Sequence, residues 1–197
     1  MPTAGTASSI AGVIALVLLT VSLAAGVAVS RRRELPAAIR YPVRRLHENV
    51  SLLALGFLLI HVLLAVSGPF SRLSLLAVVV PFIAGPGRLW LGLGAISFDL
   101  MVAVLVTSWL RRRIGRRAWR IVHWTSYACW PAAEAHSIGI GIGLQSGRLF
   151  YLAVGCLVVI AAAGCWRLSG VQRARHRSAG RYGRAVAEEP LAQKHHG

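Results

Sequence analysis

Charge is what this 197-residue chain has least of: Asp, Glu, Lys and Arg make up 14% of it, against roughly a quarter in soluble domains. With 56% hydrophobic residues and a mean hydropathy of +0.63, that scarcity excludes an ordinary soluble domain and implies an integral membrane protein. Cysteine is scarce too. Cys129, Cys156 and Cys165 have no paired spacing and fall within apolar runs, which excludes a disulfide framework and predicts small buried residues rather than ligands. No G-x-G-x-x-G follows a strand pattern, and the alternating Gly139, Gly141 and Gly143 come after an apolar segment, so a dinucleotide fingerprint is missing. Residues 1–9 lack any basic side chain, while Arg31-Arg32-Arg33 directly follow the first apolar run. Despite the small residues Ala24 to Ala28, that run therefore reads as an anchor helix and not as a cleaved secretory signal.

The apolar runs are Ile10 to Val29, Val50 to Val66, Leu89 to Leu110, Ala118 to about Ile138, and Leu149 to Trp166. Most approach the ~20 residues that a spanning helix needs. The expected fold is all-α, a membrane bundle of five spans over residues 1–168, with 169–197 a basic tail too polar to bury a core. Leu73 to Ala84 is short, carries Pro81 and is flanked by Gly68-Pro69 and Gly85-Pro86-Gly87, so it reads as interfacial or re-entrant. The formal charge of +16 follows the same topology. Of 22 Lys and Arg, 19 lie in Arg31 to Arg45, Arg111 to Arg120 and from Arg167 onward; only Arg72, Arg88 and Arg148 lie in the other connections. The positive-inside rule then puts the N-terminus outside and the C-terminus in the cytoplasm. No run is long enough to form a folded nucleic-acid surface.

Against this background four histidines stand out: His47 and His61 on the second span, His123 and His136 on the fourth, one pair at i and i+14, the other at i and i+13. At about 1.5 Å per residue each pair separates its rings by roughly 20 Å within a hydrocarbon core of about 30 Å. Both spans run in the same direction, so matched depth pairs His47 with His123 for an inner haem and His61 with His136 for an outer one. A ring from each of two facing helices leaves haem iron six-coordinate, suited to passing electrons rather than binding a substrate. The i+14 interval returns His61 to within about 40° of His47, but the i+13 interval leaves His136 about 140° from His123. Pro131 lies between them and offers one way to re-phase the helix. His61, set among Leu58, Leu59, Ile60, Val62, Leu63 and Leu64, is expensive to leave unpaired in lipid. His176, His195 and His196 lie in the polar tail and read as solvent-exposed, the terminal His-His being too little to claim a metal site.

The run from Leu46-His47 through His61, with Gly92-Leu93-Gly94, Thr107-Ser108, the basic stretch Arg111 to Arg120, His123, Tyr127, Trp130 and His136, resembles the ferric reductase-like transmembrane domain, above all its stand-alone actinobacterial members. The resemblance spans residues of about 10 to 168. It implies two b-type haems held by His47, His61, His123 and His136. Full-length ferric reductases and NADPH oxidases continue into a cytoplasmic flavin and nicotinamide module that is not seen here. The expectation is therefore a membrane component fed by a separate flavoprotein or by quinol, delivering electrons to an extracytoplasmic acceptor such as ferric iron or a partner reductase. Two alternatives remain open: a quinol-oxidising cytochrome b subunit of a larger dehydrogenase, or a haem-free scaffold subunit.

Other residues carry two readings each. Arg44, Arg45 and Arg120 flank the inner ligands and suit haem propionates, yet they also set topology. Asp99, mid-span, is protonated, paired or facing a polar interior. Glu134 tunes the outer haem, carries protons, or is an interfacial carboxylate reaching water. Trp119, Trp124, Tyr127 and Trp130 contact porphyrin or form an aromatic belt. Small residues of the last span, Gly155, Ala161, Ala162, Ala163 and Gly164, permit close helix packing.

Overall fold

A computed structural model describes residues 4–31, 35–67, 74–140, 147 and 150–169. Gly141, Gly143 and the tail beyond Ser169, with its three histidines, lie outside the described residues. Residues 1–160 form one compact unit; of a second, 161–197, residues 161–169 are described and are helical.

Every regular element among the described residues is a helix: α1 Ala4–Ser30, α2 Ala37–Ser67, α3 Leu75–Val79, α4 Arg88–Trp109, α5 Arg111–Trp124, α6 Ser126–Gly139 and α7 Phe150–Ser169. Four of them, α1, α2, α4 and α7, are long and apolar enough to cross a membrane. α1 carries no charged side chain from end to end, which lets it sit inside the bundle. α2 starts with a polar segment bearing Arg40, Arg44, Arg45 and Glu48, then becomes apolar from Val50.

The expected fourth span is not one helix. The chain over 118–138 is divided between α5 and α6 at Thr125, so the count of long apolar helices among the described residues is four and not five. The reason is local. The hydroxyls of Thr125 and Ser126 donate to the carbonyls of Val122 and His123, each at 2.7 Å, in competition with the helical ladder. The Thr125 N–H bonds back to Val122, three positions earlier, at 3.0 Å. This is the tighter 3₁₀ pattern, which winds at about 120° per residue rather than 100°. Overwinding here advances His136 in the direction needed to face its partner, and the break precedes Pro131. Below it, Gly115 (φ 80°, ψ 162°) interrupts α5 in a conformation open to glycine alone.

Among α1 to α6, α1 packs on α2 most extensively, followed by α4 on α6. Two apolar layers fill the middle. Ala54, Met101 and Cys129 form one; Leu16, Trp130 and Cys156 form the other. Polar ties lock both. The Trp130 indole N–H donates to Thr20 Oγ1 at 2.8 Å, and the Ser97 hydroxyl donates to the Cys129 carbonyl at 3.0 Å. Cys129 and Cys156 are buried, whereas Cys165 is exposed; all three are free thiols. Between α2 and α4, α3 is a short helix capped by Ser74.

Candidate functional site

The four histidines come together in two cross-helix pairs. His47 of α2 faces His123 of α5 with ring centroids 6.3 Å apart and planes at 88°. His61 of α2 faces His136 of α6 at 6.2 Å and 80°. Two imidazoles bonded to opposite sides of one metal through bonds of about 2.0–2.1 Å have centroids roughly 6.3 Å apart. The rings are thus spaced for a shared ion. Among the described residues no group of three or more His, Cys, Asp or Glu side chains is arranged for a metal, so each pair offers two nitrogens and no more.

Ring orientation is set from α1 and α4. The Nδ1 of His61 lies 2.8 Å from the Ser8 carbonyl, that of His47 2.9 Å from the Ser22 carbonyl, and that of His136 2.8 Å from the Trp90 carbonyl. A carbonyl can only accept, so each Nδ1 carries a proton, and Nε2 is the ring nitrogen left free to face a ligand. Ser8 closes a reciprocal pair by donating its hydroxyl to the His61 carbonyl at 3.0 Å. The rings reach these carbonyls because a glycine stands one turn further along. A Cβ on Gly12 would come within 2.8 Å of His61 Nδ1, one on Gly26 within 3.2 Å of His47 Cε1, and one on Gly94 within 2.6 Å of His136 Nδ1. Ser-x-x-x-Gly thus recurs at Ser8 and Ser22, the same i to i+14 interval as the histidines it serves. That repeat was the signal for α1's part in the site, and reading α1 only as an anchor passes over it.

His123 is held differently. Its Nδ1 is buried and makes no hydrogen bond among the described residues, while its ring stacks on Trp119 at 4.8 Å and 24°. Trp119 in turn donates to Ser108 Oγ at 3.2 Å and lies under the Arg111 guanidinium, 5.3 Å from the ring centroid.

A cavity of about 830 Å³ lies at the His61–His136 pair, bounded by Ser8, Gly12, Gly94 and, toward the middle of the bundle, Ala54 and Met101. Its walls are largely apolar, as cofactor sites generally are. Arg44 and Arg45 both engage Glu48, at 2.8 and 3.6 Å, with side chains 58% exposed; Arg120 is exposed on α5. Trp130 is buried, whereas Trp124 and Tyr127 are exposed. Glu134 is 4% exposed, and neither carboxylate oxygen has a partner among the described residues. It is therefore no water-facing interfacial acid. Asp99 is partly exposed on α4.

The fold and site define a class: a multi-helix membrane protein that presents two facing histidine pairs stacked along its bundle. Residues 11–133 match the family described as Ferric reductase like transmembrane component, and the chain belongs to that family. The matched region contains His47, His61 and His123, and His136 falls just beyond it. No curated protein and no solved structure matches the chain.

Proposed function

We propose that this chain is a di-haem membrane electron-transfer component, with His47 and His123 holding one b-type haem and His61 and His136 the other. The observation that carries the reading is the spacing of the ring pairs, 6.3 and 6.2 Å, mounted at i and i+14 on α2. The donor chemistry fits: a pair of imidazole nitrogens at each level would suit a metal whose remaining donors come with a macrocycle. Bound haem supplies one-electron chemistry and the protein supplies position and environment. Ser8, Ser22 and Trp90 orient the rings through Nδ1, leaving Nε2 as the ligating atom. Ala54, Met101 and Cys129 form a buried apolar cluster between the two levels.

The two levels are about 21 Å apart along α2, enough to relay charge across most of a ~30 Å barrier. The arginine distribution favours electron entry at the His47–His123 end, taken as cytoplasmic, from a flavoprotein or quinol donor. Exit would be at the His61–His136 end to an acceptor such as ferric iron or a partner reductase. Arg44, Arg45 and Arg120 are candidates for propionate pairing at the entry end. The test is a pyridine haemochrome count and a reduced-minus-oxidised spectrum of the detergent-purified chain, beside His61→Ala and His136→Ala. Two b haems in the parent and one in each variant are expected. A haem-free parent, expressed with ample haem, would overturn the assignment in favour of a scaffold.

A further inference from the structure

His136 is mounted on α4 as His47 and His61 are mounted on α1: its Nδ1 donates to the carbonyl of Trp90, and its ring lies against Gly94, the fourth residue on. Gly92 stands between the two and takes no part in that mounting. It admits a different ring. A Cβ at Gly92 would fall on Cδ1 and Cε1 of Phe82, which packs there from the turn that follows α3. Phe82 is the one residue other than glycine with a positive φ, 67°, among the described residues. That left-handed backbone costs conformational energy and persists only where its surroundings hold it.

What this contact holds is α3. Among α1 to α6, α3 packs extensively on α4 alone. Its Leu75, Leu76 and Val79 are exposed, while Ala77 and Val78 are part-buried. These two are the residues of α3 that line the His61–His136 cavity. The remaining lining comes mainly from α1, α2, α4, α6 and α7. α3 is the shortest wall, five residues against fourteen or more in each of the others.

We propose that Phe82, seated on Gly92, holds α3 in place as the water-excluding wall of the His61–His136 cavity and thereby sets the potential at which that site takes up an electron. The inference rests on the reading of the pairs as haem ligands. A one-electron metal site carries one more positive charge when oxidised, and water solvates that charge better than the apolar side chains of Ala77 and Val78 do. With α3 in place the reduced state is favoured; with α3 released, water favours the oxidised state and the midpoint falls. Phe82 is a positioning residue, acting through α3.

Equilibrium potentiometry of the full chain in detergent tests this, with the haem lost in His61→Ala identifying the site to be followed. Phe82→Ala removes the ring, Phe82→Gly removes it while easing the φ of 67°, and Gly92→Ala fills the seat from the other side. Each is expected to retain two haems and to lower the His61–His136 midpoint by about 59 mV, corresponding to a roughly tenfold rise in its oxidised-to-reduced ratio, with the His47–His123 midpoint fixed. Phe82→Tyr, which keeps the ring, is expected to leave both midpoints where they are. Deuterium modulation of the ferric EPR signal of the same haem in D2O is expected to grow in the first three variants and not in Phe82→Tyr. An unmoved His61–His136 midpoint in Phe82→Ala and Gly92→Ala, or equal shifts at both sites, would overturn the role of Phe82. A lowered midpoint without added deuterium modulation would overturn water exclusion as its cause. A haem-free parent would instead sink the ligand reading itself.

Discussion

Substituting alanine at the three mounting glycines grades a single perturbation by distance. At Gly94 the new Cβ would lie 2.6 Å from Nδ1 and 2.7 Å from Cε1 of His136; at Gly12 it would lie 2.8 Å from His61 Nδ1; at Gly26 it would lie 3.2 Å from His47 Cε1. Ordinary contact requires about 3.5–4.0 Å, so the His136 ring must retreat by roughly 1 Å and the His47 ring by only a few tenths. A retreat of about 1 Å stretches the 2.8 Å bond to the Trp90 carbonyl beyond hydrogen-bonding range and removes about 1 kcal/mol. Overpacking adds roughly 1–3 kcal/mol. Better helix propensity returns at most about 1 kcal/mol, which leaves a net loss of roughly 1–3 kcal/mol at Gly94 and close to none at Gly26. In haem affinity about 1.4 kcal/mol is tenfold. Haem retention after passage over a haem-scavenging protein should therefore be lowest in Gly94→Ala, higher in Gly12→Ala and highest in Gly26→Ala, with only the His61–His136 haem lost in the first two. Equal retention in all three, or greatest loss at Gly26, would refute the mounting argument.

Thr20→Val removes the acceptor of the buried Trp130 indole N–H and should cost about 1–3 kcal/mol, read as a lower thermal midpoint in detergent with haem stoichiometry retained. Gly115→Ala forces a Cβ into φ 80°, ψ 162°; a cost of about 1–3 kcal/mol is expected, visible as earlier thermal loss of helical circular dichroism. Glu134→Leu replaces a buried carboxyl without partners among the described residues by an apolar side chain and should raise the thermal midpoint; a drop of several degrees would mean the carboxyl has a structural partner.

Much of this architecture can be read from residue order. Long apolar runs over α1, α2 and α4, broken in α4 by Asp99, point to spanning helices, and the matched depths of His47 with His123 and His61 with His136 follow from two codirectional segments. The division at Thr125 was not legible from hydropathy, because apolar character continues through it. It arises from two hydroxyls bonding back to the preceding turn, a preference that a window average conceals. The mountings were hidden for another reason. Gly12, Gly26 and Gly94 look like ordinary small residues of membrane helices until the rings they admit are placed beside them. Glu134 differs again: residue order left three readings of it open, and its burial at 4% exposure bears only on the one that reached water.

The mounting of His47 and His61 on α1 also has a meaning in time. α1 and α2 precede α4, α5 and α6 in the chain and so leave the ribosome before them, and elements generally fold in that order during synthesis. Their hairpin alone contains both Ser carbonyls, both glycines and both histidines, so the tautomers of these two rings are set while α5 and α6 have yet to be made. Half of each pair is thus oriented in advance, and the late helices dock against rings already aimed.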